Sequence, residues 1–416
     1  MNAVNTRRRR GLIGLALVAV LGWVASVSLA AVSSASAGRH PAVGRASAAA
    51  ACSPGLSTPR DPSNPLGLAT APGPDPLAGA PLYVEGPAYG LAAGAIAQLV
   101  GRNPASLGNV TWAQFESYVN SLKLAAPVGN EVALLEKIAD QPETAKFTIY
   151  NRGGAPNEIY ISTRNYICRV PRGQVAILTT YYLKHQGDCA TDFELPADQA
   201  LFEARVNATA SAIGDHPFVL FAEFDALATS ACLSHTGLEQ RIKLLAYELD
   251  AFSKLPHGVI YVDAGDSDAG SPTSTAKILN QVGIGKVRGF FLGATHHTWT
   301  IDEIKFGEKI SKLTHGAHFV VSTQSNGQGP LLNPHPSTEG IEDLCNPPGR
   351  GLGPQPTANT GFPLVDGFEW VTNPGRSGGN CHPGDPASGI FGVNLALGLA
   401  EHANGKLGPG YPSRPY

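Results

Sequence analysis

Three short apolar runs in this chain end in carboxylates. Asp225, with Glu223 two residues earlier, closes "VLFAEFD"; Asp263 closes "VIYVD"; Asp188 follows "TTYYLKHQG", directly before Cys189. A single aspartate after such a run is ordinarily a helix N-cap or a turn residue. Three at successive run ends carry more information, because parallel strands bring their C-terminal ends to one mouth. Carboxyl groups gathered there suit glycosidic cleavage, which needs one protonated acid for the leaving oxygen and one base for water. Burial and like charge separate such a pair by raising the pKa of one member. Asp225, beside Phe224 at the end of an apolar strand, is the group expected to stay protonated and donate.

The elements that must hold these acids are legible as alternating patterns. "QVAILTTYYL", "PFVLFAEFDAL", "HGVIYVDAG", "VRGFFLGAT" and "AHFVVSTQ" are β-branched or aromatic runs of strand length. Between them lie helix candidates from Asp198 to Ile213, Gly237 to Phe252, Ser274 to Val282 and Asp302 to Leu313. Strand and helix in strict alternation imply an α/β fold with a parallel sheet and right-handed crossovers. At least five units in succession favour a closed or nearly closed barrel. No GxGxxG follows the first strand and no Walker loop occurs, so an open nucleotide-binding sheet loses its support. "AAGAIAQLV" and "VALLEKIAD" read as helices, "NEIYISTRNY" as a hairpin arm or edge strand, and "SGIFGVNLALGLAEHANG" as a final helix.

The chain has 416 residues, 43% apolar and 15% charged, with 48 Gly and 33 Pro, as expected of long loops on an ordered scaffold. Its net charge of −3 argues against a nucleic-acid partner. Residues 1–37 read as an export signal: Arg7 to Arg10, an apolar stretch, then Ala35-Ser36-Ala37. The expected product is secreted, or anchored at the cell surface if the signal stays uncleaved. Residues 38–80 read as an Ala/Pro/Ser-rich arm or linker, and 81–416 as the catalytic domain. Six cysteines in the exported part favour disulfides, with fifteen pairings open. No CxxC or HExxH is present, so neither metal nor other cofactor is expected.

From "PLYVEGP" to the final helix the chain resembles glycoside hydrolase family 6. The resemblance rests on "YYLKHQGDC", "AEFDAL", "YVDAGDSDAG", "STQSNGQGP", "EDLCNPPGRGLGPQPTANTG" and "VDGFEWVTNPGRSGGNC", in the family's order. It implies a distorted seven-stranded parallel (β/α) barrel and an inverting β-1,4-glucanase or cellobiohydrolase acting on a β-glucan, as a monomer free of the membrane once its signal is removed. By that resemblance Asp225 matches the general acid and Asp188 the aspartate that tunes it and relays a proton from water. Tyr182 matches the tyrosine at the cleavage point, and Glu223 and Asp263 match supporting acids. It also suggests the disulfides Cys189–Cys232, Cys345–Cys381 and Cys52–Cys168.

The departures are as informative. The family's C-terminal acidic stretch has Arg376 for its glutamate and Gly378 for the aspartate named as base. Asp266 replaces a histidine, Gly187 an arginine and Gly293 an asparagine, while Asp268 to Ser271 and Leu344 stand where indole rings are usual. Losing flat aromatic platforms weakens sugar stacking. Water activation is left to Asp188, to Asp266 or Asp263, or to no residue; Arg376 could neutralise a carboxylate or grip an acidic sugar, and His296 and Trp299 could line the site. An impaired carbohydrate-binding protein, or a hydrolase of another polysaccharide, remains as the alternative.

Overall fold

The computed structural model describes residues 73–184, 196–331 and 344–414. Seven parallel strands lie side by side in chain order: β1 (Ala145–Thr148), β2 (Ala176–Tyr181), β3 (Phe218–Ala222), β4 (Gly258–Asp263), β5 (Gly289–Leu292), β6 (His318–Ser322) and β7 (Val365–Glu369). β2 to β6 are the five runs read from the sequence. β1 and β7 carry Lys146, Asp366 and Glu369, which break the apolar signature of a buried strand. The distorted, nearly closed seven-stranded barrel expected from the sequence is present as a curled half-barrel: among the described residues β1 pairs with β2 alone and β7 with β6 alone, leaving a seam between the two edge strands.

Alternation along each strand sorts side chains onto two faces. Ala176, Leu178, Phe218, Leu220, Ile260 and Val262 pack outward against the helical layer. Ile177, Val219, Phe221, Val259, Tyr261 and Phe291 fill the inside of the curl. Burying residues of this size stabilises by roughly 1.5–3 kcal/mol each, before conformational entropy is subtracted. The acids at the strand ends therefore sit on a rigid floor.

Helices α4 (Pro156–Arg169), α5 (Pro196–Ile213), α6 (His235–Phe252), α7 (Pro272–Val282) and α8 (Thr300–Leu313) form the outer layer. α4 contains "NEIYISTRNY", so the hairpin reading is corrected. Pro156 opens the helix at its first turn, and burial falls on Ile159, Thr163, Tyr166 and Ile167, a helical interval that outweighs the β-branched composition. In α5 the buried Phe202, Val206, Thr209 and Ile213 keep the same spacing. Ser271 accepts from the Ser274 amide at the start of α7, and Gly283 ends it in the left-handed conformation at φ 85°.

At the seam, α1 (Leu91–Leu99), α2 (Trp112–Ser121), α3 (Val128–Ala139) and α9 (Val393–Glu401) share a separate apolar cluster with Leu352 and the wholly buried Trp370. Thr144 just before β1 donates to the carbonyl of Trp370 just after β7, at 2.7 Å. Leu77 enters the inner core, and Arg288, just before β5, donates to the carbonyl of Gly73 at 3.2 Å. The last part of the expected linker is thus packed against the barrel. Among the described residues, no helix is long and apolar enough to cross a membrane.

Candidate active site

Glu223 and Asp225 leave β3 in left-handed backbone conformations, φ 55° and 69°, which are uncommon for residues with a side chain. The turn sends the two carboxylates in different directions. Glu223 is fully buried and accepts from the amides of Tyr182 at 2.7 and 2.9 Å and of Leu183 at 3.0 Å, donors that β2 leaves beyond its last rung. It positions the end of β2 instead of facing a substrate. Asp225 points toward the loop after β5, where the Thr295 hydroxyl donates to its Oδ1 at 2.7 Å. Burial pushes the Asp225 carboxyl up, opposed by that bond and then by the charges of Lys146, His296 and Arg241. Among the described residues Asp225 forms no ion pair.

The end of β4 supplies two further acids with separate tasks. Asp263 is buried, and its Oδ2 accepts from the amides of Leu227 at 2.7 Å and Gly265 at 3.2 Å, so it ties the loop after β3 to the loop after β4. Burial drives its pKa well up, with Asp225 and Asp266 adding to the effect. Asp266 is also buried; its Oδ1 accepts from the His296 amide at 3.3 Å, and the His296 ring lies 4.0 Å from Oδ2. Burial raises Asp266 to about 6.

His296 also contacts Asp268 at 2.7 Å. Burial works against the imidazolium, but Asp266 and then Asp268 outweigh it and push it up to about 9. His296 is therefore a cation at neutral pH, clamped between two aspartates. Glu303, raised to about 8 chiefly by burial, accepts from the Ser267 amide and hydroxyl and from the Thr298 hydroxyl, fixing the loop that carries Asp266 and Asp268.

Other expected residues sit elsewhere. Tyr182 is wholly buried among the outward-facing side chains, its hydroxyl 2.7 Å from Thr209 of α5. The neighbour one step earlier, Tyr181, faces the cleft: its ring stacks on Phe224 at 4.4 Å, and Asp225 contributes to raising its phenol. Tyr182, expected at the cleavage point, therefore lies on the outer face and Tyr181 on the inner one, because adjacent strand positions point to opposite faces. Trp299 precedes α8, half-buried against the outer core, with its indole filling the space beside Gly329, where a Cβ would meet it at 2.2 Å. It offers no open platform. His297 is buried on Ser325 and held down to about 4 by burial.

Arg376 lies by the seam, donating to the Gly389 carbonyl at 2.7 Å. Gly378 is exposed, its amide on Asn346 at 2.9 Å and its position beside the Cys345–Cys381 disulfide. Cys168 and Cys232 are disulfide-bonded as well. Their expected partners Cys52 and Cys189, the acid Asp188 and the export signal lie outside the described residues.

Sequence reasoning passed over Lys146, Tyr150 and Thr295. Lys146 Nζ lies 3.9 Å over the Phe224 ring and 5.4 Å from the Tyr181 centroid; burial and then Arg376 lower it to about 7, against the pull of Asp225. Tyr150 is 72% exposed and its ring is 6.4 Å from Tyr181. A lone lysine in the run "AKFT" was the available signal for Lys146; Tyr150 and Thr295 had none. Together, Tyr150, Tyr181 and Phe224 form an aromatic path leading from solvent to Asp225. A buried carboxyl at the end of such a path can protonate an oxygen on a bound sugar chain. Among the described residues, no cluster of three or more His, Cys, Asp or Glu could hold a metal ion.

Comparison with known proteins adds independent findings. The profile for glycosyl hydrolases family 6 matches residues 112–393. Endoglucanase A of Cellulomonas fimi is 31% identical over 279 residues, covering 67% of this chain and 58% of that protein. Endoglucanase 1 of Streptomyces sp. (strain KSM-9) is 29% identical over 257 residues, covering 59% and 66%. The chain thus spans between about half and two thirds of the length of these curated relatives. A solved endoglucanase from Mycobacterium tuberculosis, in complex with methyl-cellobiosyl-4-deoxy-4-thio-β-D-cellobioside, is 30% identical with a TM-score of 0.63, covering 79% of this chain and 99% of that one.

Proposed function

The chain belongs to glycosyl hydrolases family 6, and on that premise we propose that it is a secreted hydrolase that cleaves β-1,4-glucosidic bonds of cellulose or a related β-glucan with inversion. Asp225 is the general acid. The observation that carries this reading is its setting: a carboxyl with its pKa raised by burial, bonded to a hydroxyl and free of ion pairs among the described residues, beside stacked aromatic rings. Such a group keeps its proton to higher pH than an exposed aspartate and gives it to the leaving oxygen as the glycosidic bond breaks.

Water attacks from the opposite face of the sugar. The residue proposed to take up its proton is Asp188, assisted by the charge arrangement around Asp266 and His296. Asp263 and Glu223 act as positioning residues, since their oxygens are occupied by backbone amides. Tyr181 and Tyr150 supply the apolar surface for pyranose rings, in place of the missing indoles.

Gly378 favours a second reading, a carbohydrate-binding protein that turns over slowly, because no carboxylate stands at that position. A missing general base costs about 10²- to 10⁴-fold in rate. Incubating the mature chain with soluble β-1,4-glucan, while following reducing ends and product anomer by NMR, separates the two. New reducing ends in the α configuration support the inverting hydrolase; tight binding without turnover supports the second reading.

A further inference from the structure

The unclosed seam of the half-barrel holds a cavity of about 160 Å³. Its walls are Lys146 of β1, Glu143 just before it, Arg169 of α4, Glu85, and Asn373 and Arg376 from the segment after β7. Two of these residues keep a buried polar atom with no hydrogen-bond partner among the described residues, the donor Arg376 Nε and the acceptor Asn373 Oδ1. Leaving both unpaired is costly unless something else enters to pair with them.

The charges decide what enters. Glu85 is already neutralised by Arg169 at 2.6 Å. Glu143 accepts the Leu91 and Ala92 amides at 3.0 and 3.2 Å, so its carboxylate is turned toward the start of α1. Arg376 spends one nitrogen on the Gly389 carbonyl and faces the charge of Glu143 without forming an ion pair with it among the described residues. Lys146, lowered by burial to about 7, adds a group that is partly cationic at neutral pH, and its Nζ lies over Phe224, the residue next to Asp225, so this one side chain links the cavity wall to the surroundings of Asp225.

A neutral glucosyl unit offers only uncharged hydroxyl and ether oxygens to the guanidinium in this wall. A pyranose bearing a carboxylate offers an acceptor for the Arg376 guanidinium, a charge-assisted bond, and a neighbouring hydroxyl to donate to Asn373. The geometry points to a subsite for a uronic-acid unit of a β-linked polysaccharide, gripped by Arg376 and read at an adjacent hydroxyl by Asn373. This rests on the hydrolytic reading for its place in a polymer, but the binding of the acidic sugar can be tested apart from it.

The test compares a β-1,4-gluco-oligosaccharide with the same oligosaccharide carrying carboxylates at C6 of some units, using the whole mature chain at fixed pH and ionic strength. The oxidised substrate is expected to have the higher kcat/KM by at least about tenfold, the value of one charge-assisted bond. Arg376→Gln brings the ratio near one, and Arg376→Lys keeps part of it.

In parallel, saturation-transfer NMR with D-glucuronate and D-glucose reads the site without turnover. Glucuronate binds the unmutated chain and glucose does not. Equal cleavage of both oligosaccharides, with no glucuronate binding, overturns the proposal and leaves Arg376 as a countercharge for Glu143. If neither oligosaccharide is cleaved, the hydrolytic reading falls, and glucuronate binding alone decides the subsite. Both comparisons on the unmutated chain stand even if an Arg376 variant fails to fold.

Discussion

Replacing Thr295 by valine removes a single hydroxyl and with it the 2.7 Å bond to Asp225 Oδ1. That bond favours the ionised carboxylate and therefore holds the pKa of Asp225 below where burial alone would put it. Hydrogen bonds to charged groups are worth about 1.5–3 kcal/mol, and one pKa unit is about 1.4 kcal/mol. The protonated carboxyl also gains something from the hydroxyl, so the differential is placed at the low end, about one unit upward. In the pH profile of kcat/KM on soluble β-1,4-glucan, loss of the protonated acid sets the alkaline limb. The Thr295→Val chain is expected to move that limb up by about one unit and to leave the acid limb in place. An alkaline limb that stays still or moves down would refute the reasoning, because Asp225 would then not be the group whose proton is being read.

The aromatic path predicts that Tyr150→Ala raises KM about 2- to 10-fold with little change in kcat or stability, since the ring is exposed and only stacks. Tyr182→Phe should instead lower stability by about 1 kcal/mol in urea unfolding through the lost Thr209 contact, with KM unchanged. Gly378→Asp places a carboxyl where the family resemblance expects the base. Its Cβ would meet Cys345 Sγ at 3.2 Å, a contact that needs only a small adjustment. If water activation limits turnover, kcat on soluble β-glucan rises by 10²- to 10⁴-fold, and no rise means the base lies elsewhere. Glu369 is raised by burial to about 8, so the folded chain keeps a proton that the unfolded chain releases near its ordinary 4.5. Stability should therefore fall as pH rises through that window, by up to about 1.4 kcal/mol per unit, and Glu369→Gln should flatten the fall in thermal melts.

The central strands were legible because β2 to β6 are buried on both faces and read as short runs dominated by apolar, β-branched and aromatic residues. The edge strands were not. In β7, Asp366 is tolerated because Arg288, His318 and the Tyr261 hydroxyl meet it at 2.7, 2.9 and 2.8 Å, a tertiary fact with no local signature. α4 was misread because Ile159, Ile161 and Thr163 alternate like a strand, while the deciding Tyr166 and Ile167 lie a helical turn beyond. At the site, strand-end position exposed Asp225, Asp263 and Glu223 as acids but not their division of labour. That depends on the left-handed turn after β3 and on amides from other strands. That Tyr181 and not Tyr182 faces inward was not legible, since motif spacing cannot say which of two adjacent tyrosines points to which side. The pairing of His296 with Asp266 and Asp268 joins the loops after β5 and β4, a proximity that only the sheet order creates.

The most direct test of Asp225 as proton donor is the leaving-group dependence of the Asp225→Asn chain. On unactivated β-1,4-gluco-oligosaccharides, whose leaving oxygen must be protonated, kcat is expected to fall by about 10²- to 10⁴-fold. On an aryl β-cellobioside with a strongly acidic phenol, which departs without a proton, much of the rate should survive. Equal losses on both substrates, or full activity on the oligosaccharides, would contradict the assignment.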